Sequence, residues 1–258
     1  MAVSPSTNNI TILRGEVFWK TSGSDRYEHL GNCSNFSMTP QVETLQHYSS
    51  MSGYKELDKE AVLQVGADIA ITLDEITAKN LARATLGSTA AYTQGALSNQ
   101  TATFTNVAVG DVYDLGYTDV SIDSVTDGAG TPVPYVLDTH YVVDTAAGVV
   151  RIVAIPGTAD TAVEINFDVA AVVSGDDRFS VAMLAQAGTL EGGLMIQGNA
   201  PTGLNHKVTI GRAQLTPSGG INFVSGGDEW ATLELTGKVL KDSSAPSFPY
   251  GKVVELSA

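Results

Sequence analysis

Between positions 61 and 71 the chain reads AVLQVGADIAI. On an extended backbone Leu63, Val65, Ala67, Ile69 and Ile71 fall on one side, and Val62, Gln64, Gly66, Asp68 and Ala70 on the other. That striping predicts a half-buried antiparallel strand, one side packed and one side wet. The same pattern returns in EWATLELTGKVL, 229–240, where Leu233 and Leu235 oppose Thr232, Glu234 and Thr236, and it is read as a long final strand. Between these lies TLDEITAKNLARATLG, 72–87, whose period changes to helical. Thr72 precedes Glu75 by the capping-box spacing, Leu73, Ile76, Leu81 and Ala84 share a side, Glu75 precedes Lys79 by one turn, and Gly87 supplies a left-handed stop. The expectation is one helix closing over a β scaffold.

Toward the N-terminus, ITILRGEVFW reads as a strand with a break at Gly15. Residues 27–47 alternate weakly, with Phe36 and Met38 opposite Asn35, Ser37 and Thr39 until Pro40 interrupts. YSSMSGYKELDKE, 48–60, has no period and is read as a loop or protruding arm; STAAYTQGALSNQT, after Gly87, is read as a linker. Residues 101–172 then change texture, into short strands separated by GAG, TAAG and PGTAD turns with no helical segment. Beyond Arg178 the first style resumes in FSVAMLAQ, GLMIQG and HKVTIGRAQL. The organisation expected is a discontinuous domain of residues 1–98 plus 173–258, mainly β with one flanking α-helix, carrying an inserted small all-β (Ig-like) sandwich at 99–172.

Composition agrees with a β class, since 258 residues include 26 Gly and only 7% aromatics. No apolar run approaches the ~20 residues of a membrane-spanning helix, and the opening MAVSPSTNN has neither the basic nor the apolar region of a secretory signal. Cys33 is the only cysteine, which fits a reducing compartment. Acidic residues number 28 against 14 basic, a net charge of −14 that disfavours ordinary binding to duplex phosphate.

A search for chemistry finds no catalytic, cofactor or metal set. His29, His47, His140 and His206 are scattered without HExxH spacing, and no GxSxG, P-loop or strand-borne GxGxxG occurs. Asp138, Asp144 and the pair Asp176–Asp177 sit in turns that lack the twelve-residue calcium-loop pattern, so turn solvation is expected of them. The glycosylation sequons at Asn9, Asn32, Asn35 and Asn99 have no secretory route to give them meaning. Trp19 and Trp230, far apart in sequence, are a poor basis for the aromatic platforms and paired carboxylates of a glycan-cleaving site.

Two stretches together point elsewhere. KELDKEAVLQVGADIAITLDEITAKNLARATLG, followed much later by IQGNAPTGLNHKVTIGRAQLTPSGGINFVSGGDEWATLELTGKVLKD, resembles the major tail tube proteins of long, non-contractile-tailed bacteriophages. DLGYTDVSIDSVTDGAGT with LDTHYVVDTAAGVVRI is similar to a module common in such phage proteins. The resemblance implies a tail-tube-type sandwich or barrel sheet and hexameric rings that stack into a hollow tube. It also implies a virion location after assembly in the bacterial cytoplasm, and tape measure, tail terminator and distal tail proteins as partners. Double-stranded DNA would pass through without specific binding.

On that reading the wet side of the striped strands lines the bore, which places Glu43, Gln64, Asp68, Thr232, Glu234 and Thr236 in the lumen. Six copies at −14 carry −84, and an acidic lumen would keep the genome from adhering. The arm residues Tyr54, Lys55, Glu56, Asp58, Lys59 and Glu60 are the candidates for contact between stacked rings, and the insert is expected outside the tube. The rival reading is a non-enzymatic β-rich adhesin or receptor-binding module of a phage tail.

Overall fold

The computed structural model describes residues 10–51, 53–157, 162–186 and 188–256. The opening MAVSPSTNN with the Asn9 sequon, Ser52 of the charged arm and most of the PGTAD turn lie outside them. Two compact units divide the chain, one from Met1–Thr89 with Val181–Ala258 and one from Ala90–Ser180. The expected insert, 99–172, is therefore too short at both ends.

The first stretch gives strands β1 (Gly15–Thr21), β2 (Glu28–His29), β3 (Cys33–Ser49) and β4 (Glu56–Leu73), helix α1 (Ala78–Ala84) and β5 (Ser88–Ala91). The middle gives β6 (Leu97–Phe104), β7 (Val112–Asp114), β8 (Val120–Thr126), β9 (Tyr141–Asp144), β10 (Val149–Ile152) and β11 (Val163–Val169). The return gives β12 (Phe179–Ala182), β13 (Leu190–Gly198), β14 (Asn205–Pro217), β15 (Leu233–Val239) and β16 (Lys252–Leu256). The fold is mainly β, built of antiparallel sheets with one α-helix among the described residues. The structure departs from the sequence pattern at three places. The supposed linker contains β5 and the start of β6, β15 is shorter than 229–240, and β15 is not the last strand because β16 follows it.

In the discontinuous unit an eight-stranded sheet runs β2-β1-β13-β14-β15-β4-β3, with β16 pairing onto the other half of β14. Its packed side carries Val17, Trp19, Ile69, Ile71, Leu73, Leu194, Leu215, Leu233 and Leu235, all buried in one core with Leu30 and Ala84. Burial of this size is the main favourable term holding the unit together.

The helix is shorter than 72–87 and starts later. Thr77, not Thr72, caps it, its hydroxyl accepting from the Asn80 N–H at 3.1 Å. Thr72 and Leu73 stay in β4, where Leu73 pairs with Leu233 and Cys33 and is fully buried. Sheet burial of Leu73 outweighs the local helical propensity, which is worth only tenths of a kcal/mol per residue. Ile76 is exposed rather than on a packed face, and Leu86 (φ 49°), not Gly87, takes the left-handed position. Glu75 does not serve Lys79 but accepts the Asn32 N–H at 3.0 Å.

What fixes α1 is polar. Asn80, 1% exposed, donates to the carbonyls of Leu30 (2.6 Å) and Glu75 (3.1 Å) and accepts from Arg83 at 2.9 Å. Glu28 receives both Lys79 and Arg83 at 2.7 Å. The Lys79 hydrogen bond, reinforced by the charges of Lys79 and Arg83 against some desolvation, holds the Glu28 carboxyl below its ordinary range. Burial pulls the Arg83 guanidinium down, with Glu28 opposing.

Because the folded pKa of Glu28 lies below its unfolded one, its contribution is complete above the unfolded value and fades as pH falls through the folded value. Glu28→Gln should cost about 1 kcal/mol at pH 7 and progressively less below about pH 4. Urea unfolding of both proteins at the two pH values measures this, and a cost independent of pH would contradict it.

The Ala90–Ser180 unit is two three-stranded sheets, β6-β11-β8 and β7-β10-β9, sharing a core of Val125, Tyr135, Val150, Ile152, Ile165 and Phe167. PVPYVL forms no strand; it makes only isolated bridges at Pro134 and Leu137. The tight TAAG turn needs glycine: Gly148 has φ +69°, and a Cβ there would lie 1.8 Å from the Tyr117 carbonyl oxygen. In the described segments β5 and β12 pair with each other, and Gln94 and Val172 exchange two 2.9 Å backbone hydrogen bonds beyond them.

Candidate functional site

Register decides which side chains share a face of the eight-stranded sheet, since residues directly opposite point the same way. Glu43 faces Gln64, Asp68 faces Lys238 and Thr39, Glu234 faces Thr72, and Thr236 faces Ala70 and Thr216. All lie on the side away from Leu73, Ile71, Leu233 and Leu235, and none is buried. The structure thus brings Glu43, Gln64, Asp68, Glu234 and Thr236 onto one open surface. Thr232 precedes β15 and belongs instead to the loop beside Glu234. A shallow hollow of about 380 Å³ marks the middle of this surface, where Ser37, Thr39, Asp68, Thr216, Thr236 and Lys238 line it together with Ile69, Ala70 and Gly237. Toward β1 the same side turns partly apolar at Phe18 and Met195, which are opposite one another.

The charge of this surface differs from what the whole-chain total implies. By register its acids are Glu16, Glu43, Asp68, Glu191 and Glu234, and its bases Lys20, Lys207, Arg212, Lys238 and Lys252, five against five. Glu191 and Arg212 pair at 2.5 Å. The acidity sits elsewhere. Residues 90–180 hold 12 acids and 2 bases, −10 of the −14, leaving 16 acids and 12 bases, −4, for the discontinuous unit. Much of that −10 is turn chemistry: Asp111, Asp114, Asp144 and Asp176 accept the N–H groups of Ala108, Gly116, Ala147 and Val173 at 2.8–3.0 Å, and Asp119 pairs with Arg178. Asp138 and Asp177 adopt left-handed backbone, as turn residues do.

The charged arm is not a loop. β3 and β4 remain paired out to Ser49 and Glu56, so Glu56, Asp58, Lys59 and Glu60 are strand residues, and only Tyr54 and Lys55 of the six lie in the connecting turn. The hairpin supplies its own order: His47 Nδ1 meets Asp58 Oδ1 at 2.5 Å, the Tyr48 hydroxyl donates to Gln46 at 2.7 Å, and Gln46 donates to Glu60 at 3.4 Å. Hydrogen bonds from Thr44 and then Gln46 lower the Glu60 pKa. Beyond the core both faces of the hairpin are open, and Val42, Leu45, Leu57, Val62, Leu63 and Val65 are exposed. Leu63 and Val65, which alternation places on the packed side, are thus exposed, because the hairpin runs past the end of the core and nothing covers that side there among the described residues. β3, seventeen residues long, ends the sheet without a further strand among the described residues. A long edge of this kind is a pairing surface.

The histidines do not converge. His29 and His140 accept the backbone N–H groups of Gly31 and Val136, and no group of three or more metal-ligating side chains occurs among the described residues. Cys33 is half-buried, and burial raises its pKa. No helix of the described residues is long and apolar enough to cross a membrane.

Residues 10–253 match the family described as "Protein of unknown function UCP028589". The chain belongs to this family. The family match takes in both compact units and all of the eight-stranded sheet except the last three residues of β16. No curated protein matches the chain.

Proposed function

We propose that the chain is a structural subunit that assembles with copies of itself into stacked rings forming a hollow tube, of the kind the tail tube proteins of long, non-contractile-tailed phages build. The observation that carries this reading is the half-covered sheet. One face is closed over Trp19 and the leucines, the other is open and polar across β13, β14, β15, β4 and β3, and the long β3 edge has no strand beyond it among the described residues. Lateral pairing of identical copies satisfies such edges, and a head-to-tail contact that closes gives a ring.

In a ring of six the polar face, with Glu43, Gln64, Asp68, Glu234 and Thr236, lines the bore. Its balance of five acids and five bases among hydroxyl and amide groups makes a nearly neutral wall, in place of the strongly acidic one expected from the total charge. Duplex DNA finds no net cation there to exchange for its counterions. The hairpin of β3 and β4 contacts the neighbouring ring, the acidic inserted unit lies outside the tube, and the tape measure, terminator and distal tail proteins cap the assembly. The role is non-enzymatic and the place is the virion.

Negative-stain electron microscopy of the purified full chain tests this. Regular hollow cylinders are expected; discrete monomers or trimers at every concentration would overturn the tube and favour the adhesin reading.

A further inference from the structure

The loop between β14 and β15, 218–232, presents Phe223 at 64%, Val224 at 92% and Trp230 at 92% exposure, with Ile76 exposed beside it. A cluster of large apolar side chains standing in water marks a contact surface, and tryptophan is the residue most often central to one. The loop also carries Asp228 and Glu229 and no base.

At the other end of the same strands is a groove of about 250 Å³ walled by Met38, Val65, Val208, Val239, Tyr250 and Val253. Lys252 is its one charged lining residue, and no acid lines it. The two features are opposite in shape and in charge. They are also separated along the sheet: the loop follows Pro217, which pairs with Leu235, whereas the groove touches Val208 and Val239. Val208 and Pro217 are nine residues apart on β14, roughly 20–30 Å of strand. A molecule cannot fold its loop back over that distance, but a second copy displaced along the strand direction can supply it.

We propose that Trp230 and its acidic flank dock into the Val65–Val253 groove of a second copy of this chain, with Asp228 and Glu229 toward Lys252. The contact is heterologous, loop to groove, so each copy retains one free loop and one free groove and the series continues. This inference rests on the tube reading for its direction, and it adds a second contact, beside that of the β3–β4 hairpin, through which one ring meets the next.

The test uses the full chain. Trp19 is 2% exposed, so acrylamide quenching of fluorescence reports Trp230. Assembly should reduce quenching several-fold. Trp230→Ala should raise the concentration needed for stacking roughly 30-fold or more, leaving unstacked rings in micrographs. Val253→Asp, on a side chain 62% exposed and so tolerated by the fold, should do the same by placing a carboxylate opposite Asp228 and Glu229. Adding Glu229→Lys to Val253→Asp should restore part of the loss.

Copies that bury Trp230 without forming cylinders would support the contact while removing the tube. Cylinders of normal length from Trp230→Ala, with Trp230 still fully quenchable in the wild type, overturn the contact alone. Wild-type protein that never associates overturns both.

Discussion

On the proposed tube reading, Asp68→Lys combined with Glu234→Lys is expected to make the assembled protein hold duplex DNA that the wild type leaves free. The double change takes the polar sheet face from five acids and five bases to three and seven, a net +4 per copy, or +24 around a ring of six. Glu234 is exposed, Asp68 is half-buried, and neither side chain is in the core, so the fold should survive. Asp68 stands directly across from Lys238, so the first substitution also removes a favourable cross-strand pair and sets two ammonium groups side by side, costing about 0.2–1 kcal/mol.

Each added cation that reaches a phosphate releases a counterion, which makes retention strong at low salt and steeply weaker as salt rises. Co-sedimentation of linear duplex with assembled protein, across a salt series, measures it. If the variant assembles normally yet leaves DNA in the supernatant at the lowest salt, the polar face does not line the bore.

The largest expected loss of stability is at Trp19. Its side chain is 2% exposed and lies in the core with Leu30, Leu194 and Leu215, and the neighbouring strand has been cleared for it. A Cβ added at Gly192, opposite Thr21 in register, would come within 2.6 Å of the indole. Truncation to alanine removes the aromatic burial and leaves a cavity in a sheet that cannot collapse around it. Trp19→Ala should therefore cost about 3–5 kcal/mol. Guanidinium unfolding followed by far-UV circular dichroism gives the number; a loss below about 1 kcal/mol would mean the packed side of the sheet is not the unit's principal core. Gly192→Ala should fall in the same direction by overpacking.

How far the sequence foretold these surfaces depends on how one-sided the burial is. The striping of 67–71 and of Leu233–Thr236 is readable because one side of those strands packs against Trp19 and its neighbours, and the register places Asp68 and Glu234 where alternation puts them; Leu63 and Val65, expected on the packed side, are exposed because the core ends at Ala67. The hairpin beyond Val65 was not readable. Both its faces are open, so Val42, Leu45 and Val62 follow no period that burial would impose. The helix start differs from the sequence pattern because Thr72 and Glu75 offer a local cap, while the burial of Leu73 between Leu233 and Cys33, contacts distant in sequence, keeps the chain extended. β16 leaves no mark in the pattern, since KVVEL is short and follows a stretch rich in Ser and Pro; only its pairing with Asn205–Thr209 makes it a strand. The near balance of charge on the polar sheet face is hidden by averaging, because a total of −14 says nothing about which unit holds the acids.

The pairing of β5 with β12, continued by Gln94 and Val172, brings the outgoing and returning chain of residues 90–180 to within one strand spacing, about 4.8 Å. A domain whose two ends meet like that is a cassette. Any other fold with adjacent termini could replace it at little cost in loop closure, leaving the eight-stranded sheet untouched.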